Sequence, residues 1–138
     1  MNRLYPIGIQ NFEDLRCGGY IYVDKTMLLY NLVTTGKYYF LSRPRRFGKS
    51  LMLSTLDAYF SGKRELFKGL DMERLEKNWV VYPVLHMDLN TEKYDSEESL
   101  ENKIELSLKQ WEGLYGNNPD EYSLATRFEG IIRRAALK

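Results

Sequence analysis

The stretch "FLSRPRRFGKSLML", residues 40–53, decides how the rest of the chain is interpreted. A phosphate-binding loop has the pattern Gly, four residues of any type, Gly, Lys, then Ser or Thr, and it joins a strand to a helix. Gly48, Lys49 and Ser50 match the second half of this pattern, whereas Arg43 stands where the first glycine is expected. The stretch therefore predicts a phosphate-binding loop that makes its first turn differently from the template.

The residue types in this loop suit the chemistry of a bound polyphosphate. Gly48 lets the backbone close around a phosphate, the Lys49 ammonium can reach the β- and γ-phosphates, and the Ser50 hydroxyl can ligate Mg²⁺. A helix that begins here directs its free N–H groups at the same anion. Three arginines add cationic donors: Arg43, Arg45 and Arg46. The alternative is that Gly-Lys-Ser occurs by chance and that the arginines are merely solvated.

The segments around the loop predict an α/β fold. Apolar and aromatic runs predict strands at residues 20–24, 37–42 and 80–90, and a helix is predicted from Lys49 to Phe60. Strands joined through such a helix are parallel with a right-handed crossover. We therefore expect an α/β fold, a partial parallel sheet with flanking helices.

The other helices follow from apolar spacing and capping residues. Asp24 is a candidate N-cap for a helix that Gly36 closes. Residues at helical spacing mark one face of a long helix that "GNNPD" ends, and a last helix follows. The apolar positions of these two helices are Leu100, Ile104, Leu108, Trp111 and Tyr115, then Leu124, Phe128, Ile131 or Ile132, and Ala135.

Size and composition limit the classes of protein to be considered. The 138 residues fit a single domain, 1–138, and a net charge of +1 provides no global field for nucleic acid or an anionic membrane. Cys17 is the only cysteine, which excludes an internal disulfide and fits a cytoplasmic location. The sequence has no apolar run of the roughly 20 residues that a membrane span needs.

Four segments together closely resemble the N-terminal part of the bacterial AAA-ATPase-like family: "IGIQNFEDLRCGGYIYVDKT", "YYFLSRPRRFGKSLMLSTLDAYF", "GKRELFKGL" and "YPVLHMDLN". The resemblance covers most of the chain, and Arg43 is normal in that family. It implies a P-loop ATPase with ATP and Mg²⁺ as ligands, homo-oligomer formation, and a nuclease-like domain of the PD-(D/E)XK type further along. It assigns nucleotide binding to the run Arg45, Arg46, Phe47, Gly48, Lys49, Ser50 and Leu51.

One part of the family pattern has no match in this sequence. Members of the family carry a later strand followed by Asp-Glu-Tyr-Asp, the Walker B site, so the resemblance implies that this chain stops before that strand. Hydrolysis is therefore expected of the complete protein and is doubtful for these residues alone. Asp88, at the end of the 80–90 strand, is a second candidate Mg²⁺ ligand; the alternative is that it caps neighbouring backbone groups.

Two other interpretations stay open at this point. The arginine-rich loop could belong to a non-catalytic module that binds nucleic acid or another protein, in which case binding would weaken steeply with salt and need no Mg²⁺. The chain could also fail to fold alone, because so few predicted strands cannot cover the apolar faces of its helices.

Overall fold

The computed structural model describes residues 3–90 and 93–138. Within them the chain forms six α-helices and one short 3₁₀ helix. Their bounds are α1 Phe12–Cys17, α2 Thr26–Thr35, α3 Lys49–Phe60, the 3₁₀ helix Arg64–Phe67, α4 Asp71–Leu75, α5 Glu97–Tyr115 and α6 Leu124–Ala135. These elements form two compact units: the N-terminal unit ends at Val84 and the C-terminal unit begins at Leu85.

The core of the N-terminal unit is rich in aromatic side chains. Phe12 packs against Phe67 with a ring-centroid distance of 4.9 Å, and Trp79 also packs against Phe67, at 5.1 Å. Such tilted aromatic pairs contribute about 0.5–1.5 kcal/mol beyond the area they bury. The buried members of this core come from α1 to α4, the 3₁₀ helix and the residue before α4: Phe12, Leu29, Ala58, Leu66, Phe67, Leu70 and Met72.

A polar junction joins α2 to α4 at the edge of this core. Thr26 is fully buried, and its hydroxyl accepts a hydrogen bond from the Met72 N–H at 3.0 Å while donating to Asp24 Oδ1 at 2.6 Å. The other carboxylate oxygen of Asp24 accepts from the Asp71 N–H at 2.8 Å. The first turns of α2 and α4 therefore share one hydrogen-bonded carboxylate and one buried hydroxyl.

The C-terminal unit is built on α5 and α6. Both helices begin with a capping box, in which Ser96 and Ser123 each accept from the backbone N–H three residues later. Leu108 and Trp111 of α5 pack with Ile131 of α6. These contacts place the apolar face of each helix against the other.

Two ion pairs stabilise the C-terminal unit. Arg127 pairs with Glu112 through both carboxylate oxygens, at 2.8 and 2.9 Å, and only 16% and 13% of the two side chains are exposed. The hydrogen bonds from Arg127, more than burial, set the pKa of Glu112, which lies below its ordinary value. A second pair joins Arg134 to Glu121 at 2.9 Å.

The predicted parallel sheet is wrong: the described residues contain no β-strand, so the chain is not the α/β fold that the sequence indicated. The three predicted strand segments, 20–24, 37–42 and 80–90, lie outside every helix, but they do not form a ladder. Tyr38 and Phe40, expected in a buried strand, are each 94% exposed. The Tyr82 N–H donates instead to the Phe60 carbonyl at the end of α3, at 2.7 Å.

The reason for this error is that strand composition does not provide a pairing partner. Aromatic and β-branched residues favour extended backbone, but a strand exists only where neighbouring extended segments exchange hydrogen bonds. In the described part of the chain, the backbone near residues 20–24 makes one such isolated contact, from the Ile21 N–H to the Leu4 carbonyl at 2.9 Å.

The helix predictions are confirmed, with one shift in a boundary. Helix α3 has the predicted bounds, α5 and α6 lie where the apolar spacing placed them, and Gly36 follows the last residue of α2. Helix α2 begins at Thr26 with Lys25 in the cap position, one residue later than predicted, although Asp24 still accepts from the Thr26 N–H at 2.9 Å. No helix among the described residues has the length and apolar character needed to cross a membrane.

Candidate functional site

The predicted phosphate-binding loop leads directly into the N-terminus of α3. Residues 41–50 are all exposed, and α3 begins at Lys49. Gly48 occupies the cap position with φ +76°, and it offers no side chain that could accept from the first-turn N–H groups. Those groups and the positive end of the helix dipole therefore face solvent, where an anion can meet them.

Arg46 has an unusual backbone conformation for its residue type. Its φ is +67°, a value that glycine adopts freely and an arginine adopts only at a cost of about 1–3 kcal/mol. Together with the positive φ of Gly48, this makes the chain turn sharply just before the helix. The turn that the template assigns to its first glycine thus occurs later in this loop, which explains how Arg43 can stand at the template's first position.

The side chain of Lys49 bridges the two ends of the loop. Lys49 Nζ donates to the Arg43 carbonyl at 2.7 Å, so the two ends of the loop lie within one side-chain length of each other. Between Phe40 and Leu53 the sequence carries four cations and no acid. The resulting local charge is positive without an internal counter-ion, which favours an anionic ligand.

The remaining predicted nucleotide-binding residues fall into two groups. Arg45, Phe47 and Ser50 are exposed on the loop and the first turn of α3. Leu51 packs instead against the core of the N-terminal unit. Within the predicted run Arg45–Leu51, the first six residues are therefore exposed, whereas Leu51 attaches α3 to the core.

Asp88, the second predicted Mg²⁺ ligand, belongs to the C-terminal unit. Its Oδ1 accepts a hydrogen bond from the Asn90 N–H at 2.9 Å, which is the backbone-capping role given above as the alternative. The described residues contain no group of three or more His, Cys, Asp or Glu side chains that could hold a metal ion. Metal binding by Asp88 stays a prediction.

Asp24, in the family-like segment "VDKT", has a defined structural role. Burial opposes ionisation of its carboxyl, but hydrogen bonds from the Thr26 hydroxyl, the Thr26 N–H and the Asp71 N–H more than offset this effect. The pKa of Asp24 therefore lies below its ordinary value. This carboxylate is already hydrogen-bonded to the start of both α2 and α4.

Sequence reasoning missed a cavity of about 420 Å³ in the N-terminal unit. Apolar residues of α3 line this cavity, among them Met52, Leu53 and Leu56. The buried positions of α3 are the small residues Thr55 and Ala58. An apolar spacing pattern could not have identified them, because one is polar and the other is the smallest apolar side chain.

Two comparisons with known proteins found matches for this chain. A family model described as "Predicted AAA-ATPase" matches residues 6–138. A protein of Azotobacter chroococcum mcd 1, described as "Uncharacterized protein in vnfD 5'region", is 40% identical over 131 residues, which is 94% of this chain and 25% of that protein. The chain thus spans about a quarter of the length of this relative. No solved structure gave a significant match. On the family match across nearly its whole length, the chain belongs to the predicted AAA-ATPase family.

Proposed function

We propose that the loop before α3 binds the phosphates of Mg·ATP. The observation that carries the proposal is the open N-terminus of α3, with Gly48 in the cap position and Lys49 and Ser50 as its first two residues. Family membership supports the choice of ATP, because the matching family is described as a predicted AAA-ATPase. The proposal rests on the loop and the helix end and does not require a sheet in this chain.

Each part of the site has a distinct role in this proposal. The first-turn N–H groups of α3 and Gly48 hold one phosphate, as helix N-termini commonly do. Lys49 exchanges the Arg43 carbonyl for phosphate oxygens, a charge-assisted hydrogen bond about twice as strong as a neutral one. Arg45 and Arg46 add positive charge at the mouth of the loop.

The oxygen chemistry at the helix start suits Mg²⁺. This ion keeps several waters and takes its other ligands from phosphates and one or two protein oxygens. The exposed hydroxyl of Ser50 is such an oxygen, so it would hold the ion that accompanies the nucleotide. The metal would neutralise phosphate charge in the bound nucleotide.

Hydrolysis of ATP, homo-oligomer formation, a nuclease-like domain and a cytoplasmic location are predictions for the whole protein. Phosphoryl transfer needs several positioned groups at once, including one that orients the attacking water. We therefore propose binding rather than turnover for this chain.

The deciding experiment is calorimetric titration of Mg·ATP into the wild-type chain, Lys49→Ala and Lys68→Ala. We expect saturable binding that Lys49→Ala weakens severalfold, because the phosphates lose their ammonium partner. The matched control Lys68→Ala removes the same charge from an exposed position after the 3₁₀ helix and should bind like wild type. Equal affinity for all three folded proteins would contradict the site.

Two further outcomes separate metal and nucleic-acid binding. Ser50→Ala should reduce the Mg²⁺ dependence of ATP binding, and an unchanged dependence would exclude Ser50 as the Mg²⁺ ligand.

The four cations of the loop, with no acid among them, also suit the phosphate backbone of a nucleic acid. Binding to DNA that needs no Mg²⁺, falls steeply with salt and is not competed by ADP would favour the non-catalytic module instead.

A further inference from the structure

The cavity of the N-terminal unit is a second candidate binding site, which adjoins the proposed phosphate-binding loop at Lys49. Its volume of about 420 Å³ lies in the range of about 300–1,000 Å³ typical of small-molecule pockets. It is formed by α2, the segment that follows α2, and one side of α3. Most of its lining is apolar and includes Leu32, Val33, Leu53 and Leu56.

Local hydrogen bonds hold one wall of the cavity in place. The Tyr39 hydroxyl donates to the Leu32 carbonyl and lies 3.3 Å from Thr35 Oγ1, which fixes the segment after α2 against the end of that helix. Gly36 permits this approach because a Cβ at its position would lie only 2.9 Å from Cζ of the Tyr39 ring. Hydrogen bonds and close packing therefore define this wall of the cavity.

The charged residues of the cavity lining are cations. Among the described lining residues the charged side chains are Lys37 and Lys49, and none of the lining residues is an acid. Lys49 is held towards the loop by the Arg43 carbonyl, so its ammonium lies where the cavity wall meets the polar end of α3. A ligand with an apolar body and one anionic group would match both the walls and the cations, as a few placed polar groups orient ligands in apolar pockets.

We propose that this cavity binds an organic monocarboxylate with an apolar body, such as a medium-length aliphatic acid. The apolar body packs on Leu53, Leu56 and the other apolar walls, and the carboxylate pairs with the lysines. This goes beyond nucleotide binding, because the ligand class differs and most of the lining plays no part in the proposed phosphate site. Lys49 is the one residue common to both sites.

The test uses decanoate as the probe and decanol as its uncharged counterpart. Below the concentration at which decanoate forms micelles, calorimetry should show saturable binding of one decanoate per chain. Decanol, which lacks the anion, should bind at least tenfold more weakly, and Lys37→Met should weaken decanoate binding severalfold. Equal affinity for decanoate and decanol would overturn the proposal.

A matched pair of variants tests the location. Leu53→Trp fills the cavity and should weaken decanoate binding at least tenfold, whereas Leu28→Trp, at an exposed position of α2 that does not line the cavity, should leave it unchanged. Equal effects of the two variants would contradict the location. If sedimentation shows that the chain self-associates and that Leu53→Trp abolishes this, a second copy covers the cavity and the proposal fails.

Methyl NMR gives an answer even if Leu53→Trp does not fold. In the wild-type chain labelled at its methionine methyls, decanoate should shift the resonance of Met52, which lines the cavity. Met72, fully buried in the core, and Met27, exposed on α2, serve as references. Shifts of Met27 equal to those of Met52 would indicate non-specific coating of apolar surface and would refute the site.

Discussion

The buried hydroxyl of Thr26 gives the sharpest prediction about stability. Replacing it in Thr26→Val keeps the shape of the side chain and removes the group that joins α2 to α4. We expect this change to lower the free energy of unfolding of the N-terminal unit by about 2–4 kcal/mol. The conservative variant Thr26→Ser keeps the hydroxyl and should cost only about 1 kcal/mol for the lost methyl group.

The magnitude follows from the two hydrogen bonds of the hydroxyl. The Met72 N–H, 3.0 Å from Thr26 Oγ1 in the buried core, would lose its partner, and an unsatisfied buried donor costs about 1–3 kcal/mol. The hydroxyl also donates to the Asp24 carboxylate at 2.6 Å, and hydrogen bonds to charged groups contribute about 1.5–3 kcal/mol. The second loss is partial, because Asp24 keeps its bonds to the Thr26 and Asp71 N–H groups.

The assay is urea unfolding, followed by the fluorescence of the tryptophan in the N-terminal unit. Trp79 packs on the core of the N-terminal unit and Trp111 is buried in the other unit, so a Trp111→Phe background isolates the signal of Trp79. Thr34→Val is the control: its exposed hydroxyl bonds to carbonyls of its own helix, so its effect should stay within about 0.5 kcal/mol. The reasoning is refuted if Thr26→Ser destabilises the unit as much as Thr26→Val.

Two further predictions concern the C-terminal unit and the loop. The pKa of Glu112 in the folded state lies below the ordinary pKa of a glutamate, which is about 4.3. The ion pair with Arg127 therefore stabilises the fold fully above the ordinary pKa, and this stabilisation is lost as pH falls through the lowered folded-state pKa. Glu112→Gln should therefore destabilise the C-terminal unit by about 1–2 kcal/mol near neutral pH and flatten its acid-induced loss of stability, and an unchanged pH profile of Trp111 fluorescence would exclude this origin. In the loop, Gly48→Ala meets no neighbouring atom but must keep φ +76°, so thermal unfolding should show a cost of about 1–2 kcal/mol. Arg46→Gly, which relieves a positive φ, should cost less than Gly48→Ala, and the reverse order would mean that the loop does not keep these backbone angles in solution.

The sequence predicted the four longer helices, α2, α3, α5 and α6, because helix formation depends on neighbours along the chain; the short helices α1 and α4 were not predicted. The spacing of Leu108 and Trp111 identified buried positions before any partner was known, whereas it left Ile131 and Ile132 as alternatives. Strands depend on a partner far away in sequence, and the residues around Tyr38 and Phe40 have strand composition without strand pairing. Local pattern therefore determined where helices begin and end, but it did not determine whether an extended segment joins a sheet.

The location of the candidate loop was also predictable, whereas its geometry was not. Gly-Lys-Ser before an amphipathic helix predicts an open helix end, and the structure places Gly48 and Lys49 there. Nothing in the residue type of Arg46 predicts a positive φ, since arginine disfavours it. The position of Leu51 in the core was missed because a motif assigns a role by sequence distance, whereas burial depends on the direction of each side chain.

The packing of α3 bears on the anion site that we propose for the exposed loop. Ser54 Oγ accepts from the Phe12 N–H at 3.0 Å, and Thr55, almost fully buried, lies one residue further along. These contacts begin one turn after Lys49, so the helix is fixed to α1 and the core just below the end that faces solvent. A loop whose own residues are all exposed gains little order from burial, so the N–H groups that we propose bind phosphate must be oriented by the helix they begin. Affinity for an anion should therefore depend on the packing of α3 as well as on the cations of the loop, and a variant that loosens the Ser54 contact should weaken binding without touching the ligand.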